Sequence, residues 1–136
     1  MNPLTRIYIA EQDCESLVNT MLWLEQYPDL EVYGGTLSTG DLPDQLMDLQ
    51  PDVVMLSVPS PNAQATLAAK TIRSVSPISA LMLVTKSDTG AEAADCDAHA
   101  GPRTALKELP DLIKKAINRH RVSSIAATAL PMALAG

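Results

Sequence analysis

Four short apolar runs recur along this chain, and stretches with helical spacing separate them. Arg6–Ala10 (Arg-Ile-Tyr-Ile-Ala), Leu30–Tyr33, Val53–Leu56 and Ser79–Val84 have the length and composition of strands. Between the first two, Leu17, Met21 and Leu24, flanked by Val18 and Leu22, repeat at the period of a helix until Pro28 stops the pattern. Asp41 is placed to cap a second helix with Leu42, Leu46 and Leu49 on its face, and Pro51 ends it. A third, Ala-rich helix is expected over about 62–75, with Leu67 and Ile72 inward. Strands alternating with helices through short connections predict a parallel sheet covered by helices on both faces.

The order weakens after Val84. Residues 86–98 are polar and small, and the sequence supports only one or two helical turns there, around Glu92-Ala93-Ala94. A fifth strand is expected near Arg103–Leu106. Leu109, Leu112, Ile113, Ala116 and Ile117 then form the apolar face of a final helix. Gly34-Gly35 is expected to break the second strand. From Ser123 to Gly136 the chain carries no charge. It therefore divides into a domain over 1–121 and an apolar, uncharged tail or linker over 122–136, which reads either as a spacer or as a segment that docks on a partner.

At 136 residues and 46% hydrophobic content the chain has the size of one domain with a conventional core. With no Phe and one Trp, that core must be aliphatic. The net charge of −6 argues against direct nucleic-acid binding, which needs clustered Lys and Arg. The one basic stretch, Lys114–Arg121, reads as a solvated helix end whose cations suit the helix dipole. Cys14 and Cys96 form no disulfide framework. No apolar run approaches a membrane span, and the N-terminus has no signal-peptide pattern. A cytoplasmic protein without membrane contact is expected.

The segment Gln50-Pro51-Asp52-Val53-Val54-Met55-Leu56-Ser57-Val58-Pro59-Ser60-Pro61 resembles the third strand and following loop of the receiver domain of bacterial response regulators. The usual form there is Pro-Asp-Val-Val-x-x-Asp with a Pro four residues on. Here Pro61 keeps its place, and Ser57 stands where the phospho-acceptor Asp is found. Tyr27-Pro28-Asp29-Leu30-Glu31-Val32 and Ala100-Gly101 are similar to other receiver segments, the latter to a pair that precedes strand 5. The resemblance spans residues 6 to about 119. It implies an α/β fold: a doubly wound, five-stranded parallel sheet of the flavodoxin-like receiver type with strand order 2-1-3-4-5. It also implies a site at the C-terminal strand ends. Glu11 and Gln12 match the acidic pair that holds Mg²⁺, with Asp13 beside them. Thr85 matches the hydroxyl residue that senses the phosphoryl group, and Lys107 matches the Lys after strand 5. The aromatic switch residue near that Lys is missing, with Thr104 and Ala105 in its place.

Aspartyl phosphate formation needs a carboxylate nucleophile and a metal ion to offset phosphoryl charge. Gln12 and Ser57 each remove a carboxylate, and a serine hydroxyl without an adjacent base is a poor nucleophile. Glu11, Gln12, Asp13, Ser57, Thr85 and Lys107 thus form a degenerate acceptor site with no catalytic residue, no metal and no cofactor expected. Each also has a plainer reading: Glu11 and Asp13 as solvated acids, Ser57 as a small filler, Thr85 as a strand-end residue, Lys107 as a surface charge. The expected function is phosphorylation-independent signalling through a protein partner or a homodimer, as in the regulatory domain of an atypical transcription regulator. A receiver-like localisation domain of a pilus-assembly ATPase is the alternative. An enzyme on the same fold is disfavoured, because no phosphate-cradling Gly-rich loop follows strand 1.

Overall fold

The computed structural model describes residues 4–36, 42–59, 63–86 and 96–135, of which 36, 63, 64 and those from 126 onward are described by backbone alone. Five parallel strands, β1 (Thr5–Glu11), β2 (Leu30–Thr36), β3 (Val53–Val58), β4 (Ala80–Thr85) and β5 (Ala98–Ala100), form one sheet in the order β2-β1-β3-β4-β5. The helices are α1 (Cys14–Glu25), α2 (Leu42–Leu49), α3 (Ala63–Val75) and α4 (Leu109–Ala135).

Because strand side chains alternate between faces, the central strands feed two separate cores. Ile7 and Ile9 of β1, Val53 and Met55 of β3, and Ala80 and Met82 of β4 pack with Leu17 and Leu24 of α1 and Leu109, Ile113 and Ala116 of α4. Tyr8, Ala10, Val54, Leu56, Leu81 and Leu83 face the other way, against Leu42 and Leu46 of α2 and Ala65, Ala69 and Ile72 of α3. The strands read as unbroken apolar runs because both of their faces are buried.

The described residues correct the sequence reading in several places. Leu67 is exposed, whereas Ile72 is buried as expected; Ala65 and Ala69 are buried beside it, so small side chains let the helix lie close to the sheet. The second strand does not stop at Gly34-Gly35 but runs on to Thr36. A Cβ at Gly34 would sit 2.8 Å from Leu17 Cδ1, and one at Gly35 would meet the Tyr8 hydroxyl. These glycines make room for neighbours and do not break the strand. The fifth strand is Ala98–Ala100, earlier than the expected Arg103–Leu106, so Ala100 lies within the strand and only Gly101 follows it. Gly101 and Pro102 then turn the chain, with Gly101 N donating to Thr104 Oγ1 at 3.0 Å. The Asp41 cap and the turns expected around Glu92-Ala93-Ala94 lie outside the described residues. The helical backbone of α4 continues without a break past residue 121, through the expected tail, to Ala135. No helix of the described residues is long and apolar enough to cross a membrane.

One buried carboxylate ties four segments together. Asp97 Oδ2 accepts from Leu81 N of β4 at 2.8 Å and from Arg73 Nη1 of α3 at 3.1 Å, and it lies 3.4 Å from His120 Nδ1 of α4. His120 Nε2 donates in turn to Pro77 O at 2.7 Å. Asp97→Ala leaves the Leu81 amide without its side-chain acceptor and Arg73 without the counter-charge of Asp97. Arg73 is partly exposed, which screens its share of the loss. The expected loss of unfolding free energy is about 2 kcal/mol, mostly from the orphaned amide. Urea denaturation of the variant against the parent measures it, and a loss near zero would contradict this role for Asp97.

Candidate functional site

The strand register fixes what stands at the C-terminal edge of the sheet. Glu11 pairs with Ser57, Ser57 with Val84, and Val84 with Ala100, so these four side chains form one row on the α1/α4 face. Over that row lies a cavity of about 190 Å³. Its apolar wall includes Ile9, Met55, Val84 and Leu109, and its polar lining includes Glu11, Ser57, Lys86 and Thr104, with Ser16 and Thr20 from α1. Leu106 closes one side, held where the Trp23 indole N–H donates to its carbonyl at 3.0 Å.

Glu11 is only 4% exposed, and its two oxygens differ. Oε1 accepts from Asp13 N at 3.2 Å, whereas Oε2 is buried with no hydrogen-bond partner. An unpaired buried carboxylate oxygen demands a donor or a cation. Ser57, half-buried beside it, supplies a hydroxyl and no charge.

The remaining residues expected at the site go elsewhere. Asp13 is the N-cap of α1: its Oδ2 accepts from Ser16 Oγ at 2.9 Å and Ser16 N at 3.3 Å. Those bonds hold its carboxyl below the usual range, and the positive charge of Lys86 adds to the effect. Gln12 is exposed. Thr85 is buried but lies on the opposite face from Ser57, where its Oγ1 is 2.9 Å from His99 Nε2 of β5. Lys107 does not reach the Glu11 cavity. It lies in the 3-10 turn Leu106–Glu108 and borders a second cavity with Thr5 and Asp29. Because β5 ends at Ala100, the position of Lys107 falls in the turn that opens α4, well past the strand end.

The cation that does line the Glu11 cavity is Lys86, immediately after β4. Sequence reasoning passed over it, although a Lys directly following a strand end is placed by the topology beside this site. His99 was also missed as the partner of Thr85. It occupies the middle of a three-residue strand whose composition, Ala-His-Ala, gives no strand signal.

The donor set does not suit Mg²⁺, the ion that such a fold would imply. Mg²⁺ wants near-octahedral oxygen ligands with carboxylates supplying charge. Among the described residues one buried carboxylate, Glu11, lines the cavity, Asp13 is engaged in capping, and Lys86 adds a positive charge. Among the described residues, no three His, Cys, Asp or Glu side chains are grouped to hold a metal ion.

No family model matches the chain, and no curated protein matches it in sequence. Solved structures do match. A LuxR-family DNA-binding response regulator from Staphylococcus aureus aligns with a TM-score of 0.71 at 22% identity, covering 84% of this chain and 99% of that one. The fold is that of a response-regulator receiver domain. A CheY-like receiver domain protein from Methanospirillum hungatei JF-1 gives a TM-score of 0.71 at 19% identity, over 88% of this chain and 98% of that one. A putative pilus assembly-related protein from Burkholderia pseudomallei K96243 gives 0.69 at 17% identity, over 85% of this chain and 91% of that one.

The separation of the two faces has a measurable consequence. Thr85→Val keeps the side chain's shape and removes the hydroxyl that reaches His99. Amide exchange in β5 should speed up, because a short edge strand then loses a side-chain tie to β4. The amide shifts of Glu11 and Ser57, on the other face, should barely move. Large shifts at both would show that Thr85 communicates with the cavity.

Proposed function

We propose that this chain is a receiver-type module that works without phosphorylation, by binding a protein partner or a second copy of itself. The observation that carries this reading is the composition of the cavity at the strand ends. Among the described residues Glu11 is its one buried carboxylate, Ser57 stands where the resemblance puts the acceptor, and Lys86 adds a positive charge to the lining. A phosphoryl group transferred there would have neither a carboxylate nucleophile nor a metal-binding acidic cluster. The module is accordingly not an enzyme, and any DNA contact of the protein it serves belongs to another domain.

Two settings fit. One is the regulatory domain of an atypical transcription regulator, in line with the similarity to the Staphylococcus aureus LuxR-family structure. The other is a localisation domain in pilus assembly, which the similarity to the Burkholderia pseudomallei protein favours.

Incubation with acetyl phosphate and Mg²⁺ should leave the intact mass unchanged. An acid-stable, base-labile adduct of one phosphoryl group would overturn the proposal. Ser57→Asp alone should restore little labelling, because the new carboxylate sits beside buried Glu11 as its strand neighbour and still lacks a metal cluster. Efficient Mg²⁺-dependent labelling of that variant would mean that the surroundings remain competent and only the nucleophile is lost.

A further inference from the structure

Acidic and basic side chains are segregated along this chain. All 16 Asp and Glu lie at or before Asp111, whereas Lys114, Lys115, Arg119 and Arg121 follow it with no acid among or after them. Those four sit on α4 and are exposed, and none forms an ion pair among the described residues. His120, between the two arginines, is turned inward onto Pro77 O and Asp97, which fixes the rotation of the helix and keeps its neighbours outside. Immediately beyond, Val122 is 66% and Ile125 68% exposed, and no charged side chain occurs from Val122 to Gly136. We propose that this end of α4 binds the surface of an anionic lipid bilayer, with the cations among the headgroups and the uncharged helix at the acyl boundary.

A bilayer surface is the partner that both halves of this segment match. Lys and Arg pair with lipid phosphate and carboxylate groups while their stems lie along apolar surface, and Val122 and Ile125 gain by leaving water. A nucleic acid would engage the cations and leave those two apolar side chains exposed. At a rise of about 1.5 Å per residue, the helix from Val122 to Ala135 is about 21 Å long, short of the roughly 30 Å hydrocarbon core. It therefore lies in one interface, which agrees with the absence of a spanning helix among the described residues. Peripheral contact of this kind replaces the sequence expectation of no membrane contact. Acids of the sheet domain oppose an anionic surface only within a Debye length, about 8 Å at physiological salt, and Arg119 and Arg121 lie beyond the last buried residue of α4, Ala116. Asp29 and Asp111 border the second cavity with Lys114 and offset its charge, which leaves Lys115, Arg119 and Arg121 as the main contacts.

The test is flotation of the full chain with phosphatidylcholine vesicles containing about one-third phosphatidylserine, against vesicles of phosphatidylcholine alone. The chain should float with the anionic vesicles and bind the neutral ones at least about tenfold more weakly. Each Lys or Arg near an anionic surface strengthens binding about fivefold, so a chain carrying Lys115→Ala, Arg119→Ala and Arg121→Ala should bind about 100-fold more weakly. Val122→Ser with Ile125→Ser removes apolar surface without changing charge and should weaken binding about tenfold or more. All five residues are exposed, so these variants keep the fold, and urea denaturation matching the parent checks it. Absence of flotation with the anionic vesicles overturns the proposal. So does equal binding to both kinds of vesicle, which would leave the cations without a role. A serine pair that binds as tightly as the parent also overturns it, and a DNA duplex bound equally well by parent and serine pair would assign the surface to nucleic acid. The site is separate from the Glu11 cavity, so the acetyl phosphate result is unaffected by any of these outcomes.

Discussion

Because β3 is hydrogen-bonded to β1 on one edge and β4 on the other, and its residues up to Leu56 are buried, its register decides where each site residue lands. A slip of one residue would exchange the two cores and send Ser57 to the face of Thr85. The register is held by two apolar sets that cannot both be satisfied any other way, Val53 and Met55 against α1 and α4, and Val54 and Leu56 against α2 and α3. The row Glu11, Ser57, Val84, Ala100 follows from that constraint alone.

What the row contains then limits the chemistry. Receiver-type phosphorylation needs several carboxylates to converge at one strand end. Among the described residues one carboxylate, Glu11, lines the cavity, Asp13 caps a helix, and Lys86 brings a positive charge. The recess is small and half apolar, and Glu11 and Lys86 are among the residues that line it. Away from the cavity, Asp97 links α3, β4 and α4 through Arg73, the Leu81 amide and His120.

The sequence made β1, β3, β4 and α1 legible, because long Val, Ile and Leu runs and the Leu17–Leu24 spacing carry strong periodic signals. The order 2-1-3-4-5 came through the resemblance in Gln50–Pro61 and is the order observed. β5 was misplaced because three residues, Ala-His-Ala, are held by pairing with β4 and by little intrinsic preference. That error moved Lys107 into the site, since it assigned a later strand end. β2 was cut short because a Gly pair reads as a turn locally, while its actual role is to admit Leu17 and Tyr8. Asp97 left no local trace at all, since its partners come from Arg73 and His120, far along the chain. Glu11 and Ser57 were named from the resemblance, and the structure sets them side by side along one cavity. That Lys86 lines the same cavity follows only from the topology.

The central claim is that the cavity does not accept a phosphoryl group and its metal. The most direct measurement is an amide-shift titration with beryllofluoride in the presence of Mg²⁺, following Glu11, Ser57, Thr85 and His99. The account predicts no saturable change at any of the four. Saturable shifts at Glu11 and Ser57 that propagate across the sheet to Thr85 and His99 would contradict it, and would make this chain a working receiver with an unusual acceptor.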